Sequence, residues 1–262
     1  MKKCFILTVI PILYALQIQA QKIDSKFSVE FSMGASIPTG KFADKSYGSN
    51  VFLDNQPSGL AKTGLGLNLS LGYRISKSIG IMVLLGGSQN KQAASSFQDY
   101  LKNEYGNNIK TAIVTNSWLI GKILAGGFIN LPLSTDGKLM LQPKLLAGIC
   151  KTTTPQYSYA AVDENGNMLS DNLTKSKEHP GWAFCYQAGT TLKYRVSTKM
   201  YFLFDLNYFN GVPGIKYSYN PNFPSPGASV QAQRKYHVAA VNALLGIGIN
   251  FYQQVCTPAG ES

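Results

Sequence analysis

The sequence predicts an all-β chain folded as an eight-stranded antiparallel up-and-down barrel, and three observations carry that expectation. Apolar and small polar residues alternate one by one over long stretches, short turns alternate with long polar connections, and charge is sparse. Charged residues make up 14% of the 262 positions, against roughly 25% in an ordinary soluble domain. A chain of this length and composition fits one all-β domain better than a helical enzyme.

Alternation is clearest in the stretch from Gly64 to Ser76. Leu65, Leu67, Leu69, Leu71, Tyr73 and Ile75 fall on one face, while Gly64, Gly66, Asn68, Ser70, Gly72, Arg74 and Ser76 fall on the other. Successive side chains of a strand point to opposite faces, so this is one apolar face and one small polar face. A helix would scatter the same leucines around its circumference. The first segment repeats the pattern, with Phe27, Val29, Phe31, Met33, Ala35 and Ile37 alternating with Ser28, Glu30, Ser32, Gly34 and Ser36. The last does so with Val241, Ala243, Leu245, Ile247, Ile249 and Phe251. Five more candidates lie at 79–90, 117–133, 139–151, 182–196 and 200–211. The fourth strand is the least regular, because Trp118, Ile120, Leu124 and Phe128 share the face that carries Lys122.

The connections follow a second rhythm. Lys77-Ser78, Ser134 to Lys138 and Ser197 to Lys199 are short hairpin turns, and Asp136-Gly137 is a strong turn signal. The segments 39–63, 91–116, 152–181 and 212–236 are long and polar. Short turns on one side and long loops on the other predict a transmembrane barrel with its short turns facing the periplasm. The rival is a soluble lipocalin-like barrel, which also alternates. Such a barrel would wet its polar face with Lys, Glu and Thr, whereas here that face is mostly Gly, Ser, Asn and Ala, sizes suited to a narrow lumen. Aromatic residues also gather near strand ends, as girdles at headgroup level do.

Residues 1–20 have the parts of a secretory signal: Lys2 and Lys3, an apolar run from Phe5 to Leu16, and Ala20 before the cut. The barrel is expected over 21–252, followed by a tail over 253–262. Export without an apolar helix leaves strands to do the crossing, which places the chain in the outer membrane of a Gram-negative cell. Past the signal, Cys150, Cys185 and Cys256 remain, an odd count that leaves at least one outside any pair within the chain. The formal net charge of +11 is spread over single Lys and Arg residues with no nucleic-acid motif, so no nucleic-acid partner is expected.

With the signal, the strand pattern, the run Gly34-Ala-Ser-Ile-Pro-Thr-Gly40 and the glycine-rich last strand ending at Tyr252, the chain resembles the small outer-membrane β-barrel proteins. That family includes the barrel domain of the OmpA group. The resemblance covers the mature chain and implies an architecture, with membrane lipids and the barrel-assembly machinery as partners. It does not imply an activity. Two departures stand out: no second domain follows the barrel, and the chain runs beyond Tyr252 to Ser262.

Seven charged residues fall on the predicted lumen face: Glu30, Arg74, Lys122, Lys144, Lys193, Arg195 and Asp205. Buried charges persist when paired or hydrated, so an ionic plug is the structural expectation and a narrow, anion-favouring channel the functional alternative. Glu30 and Arg74 are expected at similar depth on neighbouring strands, and Asp205 a diagonal step from Lys193. Cys150 and Cys185 face inward on adjacent strands, as a cross-strand disulfide or as two unpaired core residues. Tyr217, Tyr219 and Phe223 in the fourth long loop are the candidates for surface contact. His179 and His237 lack the serine partner of lipid-modifying barrel enzymes, and no metal-ligand spacing occurs, so neither catalysis nor a cofactor is expected. Tyr73-Arg74-Ile75-Ser76 recurs as Tyr194-Arg195-Val196-Ser197, each before a short turn. The expected role is non-enzymatic, in envelope integrity or surface interaction through the loops. A soluble periplasmic carrier of an apolar ligand is the other alternative.

Overall fold

The computed structural model describes residues 25–45, 58–93, 95–96, 99, 110–155, 157–162, 168–170, 180–219 and 230–252. In chain order the strands are β1 (Ser25–Pro38), β2 (Gly64–Arg74), β3 (Ile79–Lys91), β4 (Lys110–Thr115) and β5 (Ser117–Ile129). Next come β6 (Leu131–Pro132), β7 (Leu139–Thr153), β8 (Tyr157–Val162), β9 (Met168–Ser170) and β10 (Gly181–Arg195). Then follow β11 (Met200–Gly211), β12 (Gly214–Tyr219), β13 (Val230–Lys235) and β14 (Val238–Tyr252).

Eight of these strands close a barrel in the order β1-β2-β3-β5-β7-β10-β11-β14, every pair antiparallel. Closure is made by β14 returning to β1, with Phe27 opposite Phe251 and Pro38 opposite Ala240. A closed ring leaves no strand edge to meet lipid, which is why barrels cross membranes and open sheets do not.

The short turns are built as expected. Ser76 Oγ accepts from the Ile79 N–H at 3.1 Å, and Ser197 Oγ accepts from the Met200 N–H at the same distance. In the third turn the Asp136 carboxylate accepts from the Ser134 hydroxyl at 2.6 Å and the Lys138 N–H at 3.0 Å. Those two bonds, the hydroxyl first, hold its carboxyl below the ordinary carboxylate range. Gly137 supplies the left-handed backbone there, with φ +60°.

Two details depart from the sequence reading. The fourth barrel strand ends at Ile129 and not at 133, and Leu131–Pro132 continues as the two-residue β6 against β7. Three of the long connections carry strands of their own: β4, β8 and β9 form one small sheet, and β12 and β13 form a hairpin. Where these strands alternate, as Ile215, Tyr217 and Tyr219 do with Lys216 and Ser218, the stretch is too short to stand out from the long polar segment that holds it.

The apolar face is the outer one. Leu65, Leu67, Leu69 and Leu71 of β2 are exposed, as are Leu145 at 64% and Leu245 at 67%. Exposed aromatics lie toward both rims, with Trp182, Phe184, Tyr186 and Tyr208 on the loop side and Phe27, Tyr194 and Phe251 on the turn side. Phe27 and Tyr73 meet at 4.8 Å between ring centroids. From Trp182 to Tyr194, β10 covers ~40 Å along the strand, or about 30 Å along the normal at a tilt of about 40°. That matches the hydrocarbon thickness of a bilayer. No helix among the described residues is long and apolar enough to cross a membrane.

A charge on this belt should therefore be costly by depth. Leu69→Arg at mid-belt is expected to lose about 2–4 kcal/mol and Ile75→Arg at the turn-side rim about 1 kcal/mol or less, measured by urea-driven unfolding from lipid vesicles. Equal losses at the two positions would contradict a membrane lying across the belt.

Candidate functional site

The other face of the same strands fills the lumen, and glycine makes the room. Gly80 of β3 faces the ring of Phe128, which a Cβ at residue 80 would strike. Gly248 of β14 faces the Tyr201 ring in the same way. Small residues on one wall thus admit large side chains from another, and the interior becomes packed matter instead of a pore.

At mid-height the packing is polar. Lys144 of β7 and Asp205 of β11 form an ion pair at 2.8 Å with both side chains buried. Asp205 also accepts from Thr191 at 3.1 Å and from the Asn207 amide at 3.1 Å. The Asn242 amide continues the chain to Asn207 at 2.9 Å. Lys193 of β10 pairs with Glu30 of β1, and the Tyr201 hydroxyl donates to the same Glu30 oxygen at 2.9 Å. Lys122 meets an amide, donating to Gln187 Oε1 at 2.7 Å, and its ammonium lies 4.9 Å from the Phe209 ring centroid. Each carboxylate keeps several partners, the condition under which a buried charge is tolerated.

The seven lumen charges do face inward, but the pairing differs from the one read along the sequence. Glu30 stands opposite Ser70 in the ladder, above Arg74, and takes Lys193 from across the ring. Lys193 is indeed diagonal to Asp205, which stands opposite Thr191, yet Asp205 takes Lys144 instead. Depth counted from a turn fails for β1, which has no turn before it, and partners across the lumen are invisible to neighbour counting. Arg74 and Arg195 sit half-buried at the turn-side rim, where Arg195 donates to the Gly137 carbonyl at 2.6 Å. Tyr201 and Gln187 were missed, although parity with Asp205 and Cys185 places both on the lumen face.

Toward the loops the interior turns apolar. Trp118, Ile120, Leu124 and Leu146 are buried with Cys150 and Cys185, so the irregular face of β5 is a core face. Above them the first long connection folds inward. Phe42, in the 3₁₀ turn Gly40–Phe42, meets Trp118 edge-on at 5.4 Å, and Tyr236 meets it from the other side at 5.2 Å. The Trp118 indole N–H donates to the Gly59 carbonyl at 2.8 Å. Next to it Leu60 is buried in a left-handed backbone, φ +50°, uncommon for a branched side chain. These contacts cap the loop-side mouth, and no sequence pattern pointed to them.

Cys150 and Cys185 are buried, and no bond joins their sulfurs in this structure. Their ladder partners are Ala183 and Gly148, which leaves the two thiols one diagonal step apart, in hydrogen-bond contact. Tyr217 and Tyr219 belong to β12, with side chains outside the described set, and Phe223, His179 and Cys256 lie outside the described residues. The signal and tail segments do so too. His237 is half-buried where β14 begins. Among the described residues no cluster of His, Cys, Asp or Glu could hold a metal ion.

Removing one partner of a buried pair strands the other. Asp205→Leu is expected to cost about 3–5 kcal/mol, while the double change Lys144→Met with Asp205→Leu should recover most of the loss. Urea unfolding of the four proteins in a double-mutant cycle measures this, and additive losses would show that the pair does not couple.

No family model matches the chain, and no curated protein matches it by sequence. Solved structures do align with it. A major outer membrane protein from Thermus thermophilus is 12% identical over 87% of this chain and 99% of its own, with a TM-score of 0.44. Ail, the attachment invasion locus protein of Yersinia pestis, is 14% identical over 87% and 99%, with a TM-score of 0.40. Neisserial surface protein A is 12% identical over 86% and 97%, with a TM-score of 0.41. These figures describe a likeness of overall architecture and say nothing of ligands. With its closed ladder, its apolar belt between aromatic rims and its filled interior, the chain folds as an eight-stranded transmembrane β-barrel.

Proposed function

We propose that this barrel is a non-enzymatic and non-conducting scaffold of the outer membrane. It anchors the envelope and holds its long loops at the cell surface, with membrane lipids against the belt and the barrel-assembly machinery as its transient partner. The observation that carries this reading is the double closure of the lumen. Two buried ion pairs, Lys144–Asp205 and Lys193–Glu30, cross the middle, and the Phe42, Trp118 and Tyr236 rings cap the loop-side mouth. An ion entering from either side would have to break a desolvated pair or displace packed aromatic rings, and both steps are costly.

The loops fit the presenting role, since the β12–β13 hairpin and the β4-β8-β9 sheet give them framework beyond the belt. Tyr217 and Tyr219 lie on that hairpin and remain the proposed contact residues, with Phe223 beyond it. The soluble-carrier alternative is disfavoured by the apolar face being outermost.

Purified protein reconstituted into planar bilayers is expected to give no conductance above background. Discrete steps that favour anions would overturn the scaffold reading and support the narrow channel, for which the three buried lysines Lys122, Lys144 and Lys193 would supply the selectivity.

A further inference from the structure

The repeated tetrad that precedes two of the short turns has a structural meaning. Tyr73-Arg74-Ile75-Ser76 and Tyr194-Arg195-Val196-Ser197 end β2 and β10, which are not neighbours in the ring. Both hairpins are made alike, with Ile75 and Ser76 N–H donating to the Ile79 carbonyl, and Val196 and Ser197 N–H to the Met200 carbonyl. In both, the tyrosine lies on the outer face and the arginine on the inner face. From these two positions Arg74 and Arg195 line one and the same cavity at the turn-side end of the lumen.

That cavity has a volume of about 30 Å³. Lys193 lines it with them, and Ser28, Asn130, Gln142, Thr198, Tyr201 and Asn250 complete its polar lining. Three cationic side chains line it and no carboxylate does. Lys193 is already paired with Glu30, and Arg195 spends one of its five N–H donors on Gly137, which fixes the guanidinium at the rim. Gln142 is 1% exposed and donates its amide to Asn130, while its other polar atom, Oε1, has no partner. Amide oxygen and nitrogen are interchangeable by a flip, so Gln142 together with Asn130 can present a donor in place of that oxygen. A buried amide lacking a partner beside two arginines marks a place where a polar group is missing.

We propose that this vestibule is a binding site for a carboxylate group reaching the barrel from the periplasmic side. The volume is room for about two waters, which is the scale of one carboxylate and small for a phosphate. Arginine forks match that group bidentately, and a pair of them set on two rigid hairpins is preorganised for it. The site lies below the ion-pair layer, so it stands whether or not the lumen conducts. Its ligand is either a free small acid or the acidic end of a longer chain, and the test separates the two.

The experiment follows the arginine side-chain Nε–Hε signals of the full-length protein in detergent during titration with sodium acetate. Parallel titrations use sodium chloride, inorganic phosphate, N-acetyl-Ala-Ala and N-acetyl-Ala-Ala amide. Saturable shifts of Arg74 and Arg195 with acetate, absent with chloride, are the expected result. Stronger binding of the peptide acid than of acetate, with none of its amide, assigns the site to a chain end, and equal binding assigns it to small acids. Arg195→Lys should weaken binding about tenfold while keeping the charge, because the fork is lost. Gln142→Glu should abolish it by repulsion, and the gel shift on boiling checks that each variant still forms a barrel. No saturable shift with acetate, the same shift with chloride, or a response to phosphate alone overturns the proposal.

Discussion

A backbone amide that enters hydrocarbon without a hydrogen-bond partner costs several kcal/mol, and the rest of this molecule follows from that penalty. It forces the ladder to close on itself, and closure with eight strands fixes a lumen just wide enough for side chains. The interior must then be filled with whatever the inward positions supply. Since those positions share strands with the apolar belt, they come at every second residue, and the same alternation writes both surfaces. The ion pairs and the aromatic cap are consequences of having to fill a narrow tube.

The filling is graded along the barrel axis. The loop-side third holds the large apolar cluster around Trp118 and Ile120, with Asn90 and Thr152 buried among it. The middle holds the pairs of Lys144 with Asp205 and Lys193 with Glu30. The turn-side end carries the two rim arginines. The gradient places the strongest desolvation where charges have partners within reach, and it leaves the arginines where water can approach. Tyr201 joins the layers, its hydroxyl on Glu30 and its ring 4.9 Å from the Lys193 ammonium.

Much of the architecture was legible in the residues because hydrocarbon imposes a period of two over the full length of each barrel strand. The stretch from Leu65 to Tyr73 announced its faces, and the ladder placed them as read. Legibility failed where that pressure stops. The strands β4, β8, β9, β12 and β13 lie in segments read as connections, where any alternation runs for only a few residues. The lumen charges were found, since parity marks them, but their partners were not. Which residues meet across a tube depends on strand tilt and stagger, which the one-dimensional pattern does not carry. The capping contact of Phe42 on Trp118 joins two residues far apart in the chain, and only folding reveals it.

The seam between β1 and β14 has a consequence for the order of events in the life of the chain. The first strand and the last hydrogen-bond to each other along nearly their whole length, from Phe27 with Phe251 to Pro38 with Ala240. The partner of the earliest strand is therefore the latest one to be made. Until β14 arrives, β1 carries an open template that any extended chain could extend, and a partly synthesised barrel has no stable form of its own. Closure is thereby deferred until β14 has been made, and the exported chain must be held apart from its neighbours for that whole interval.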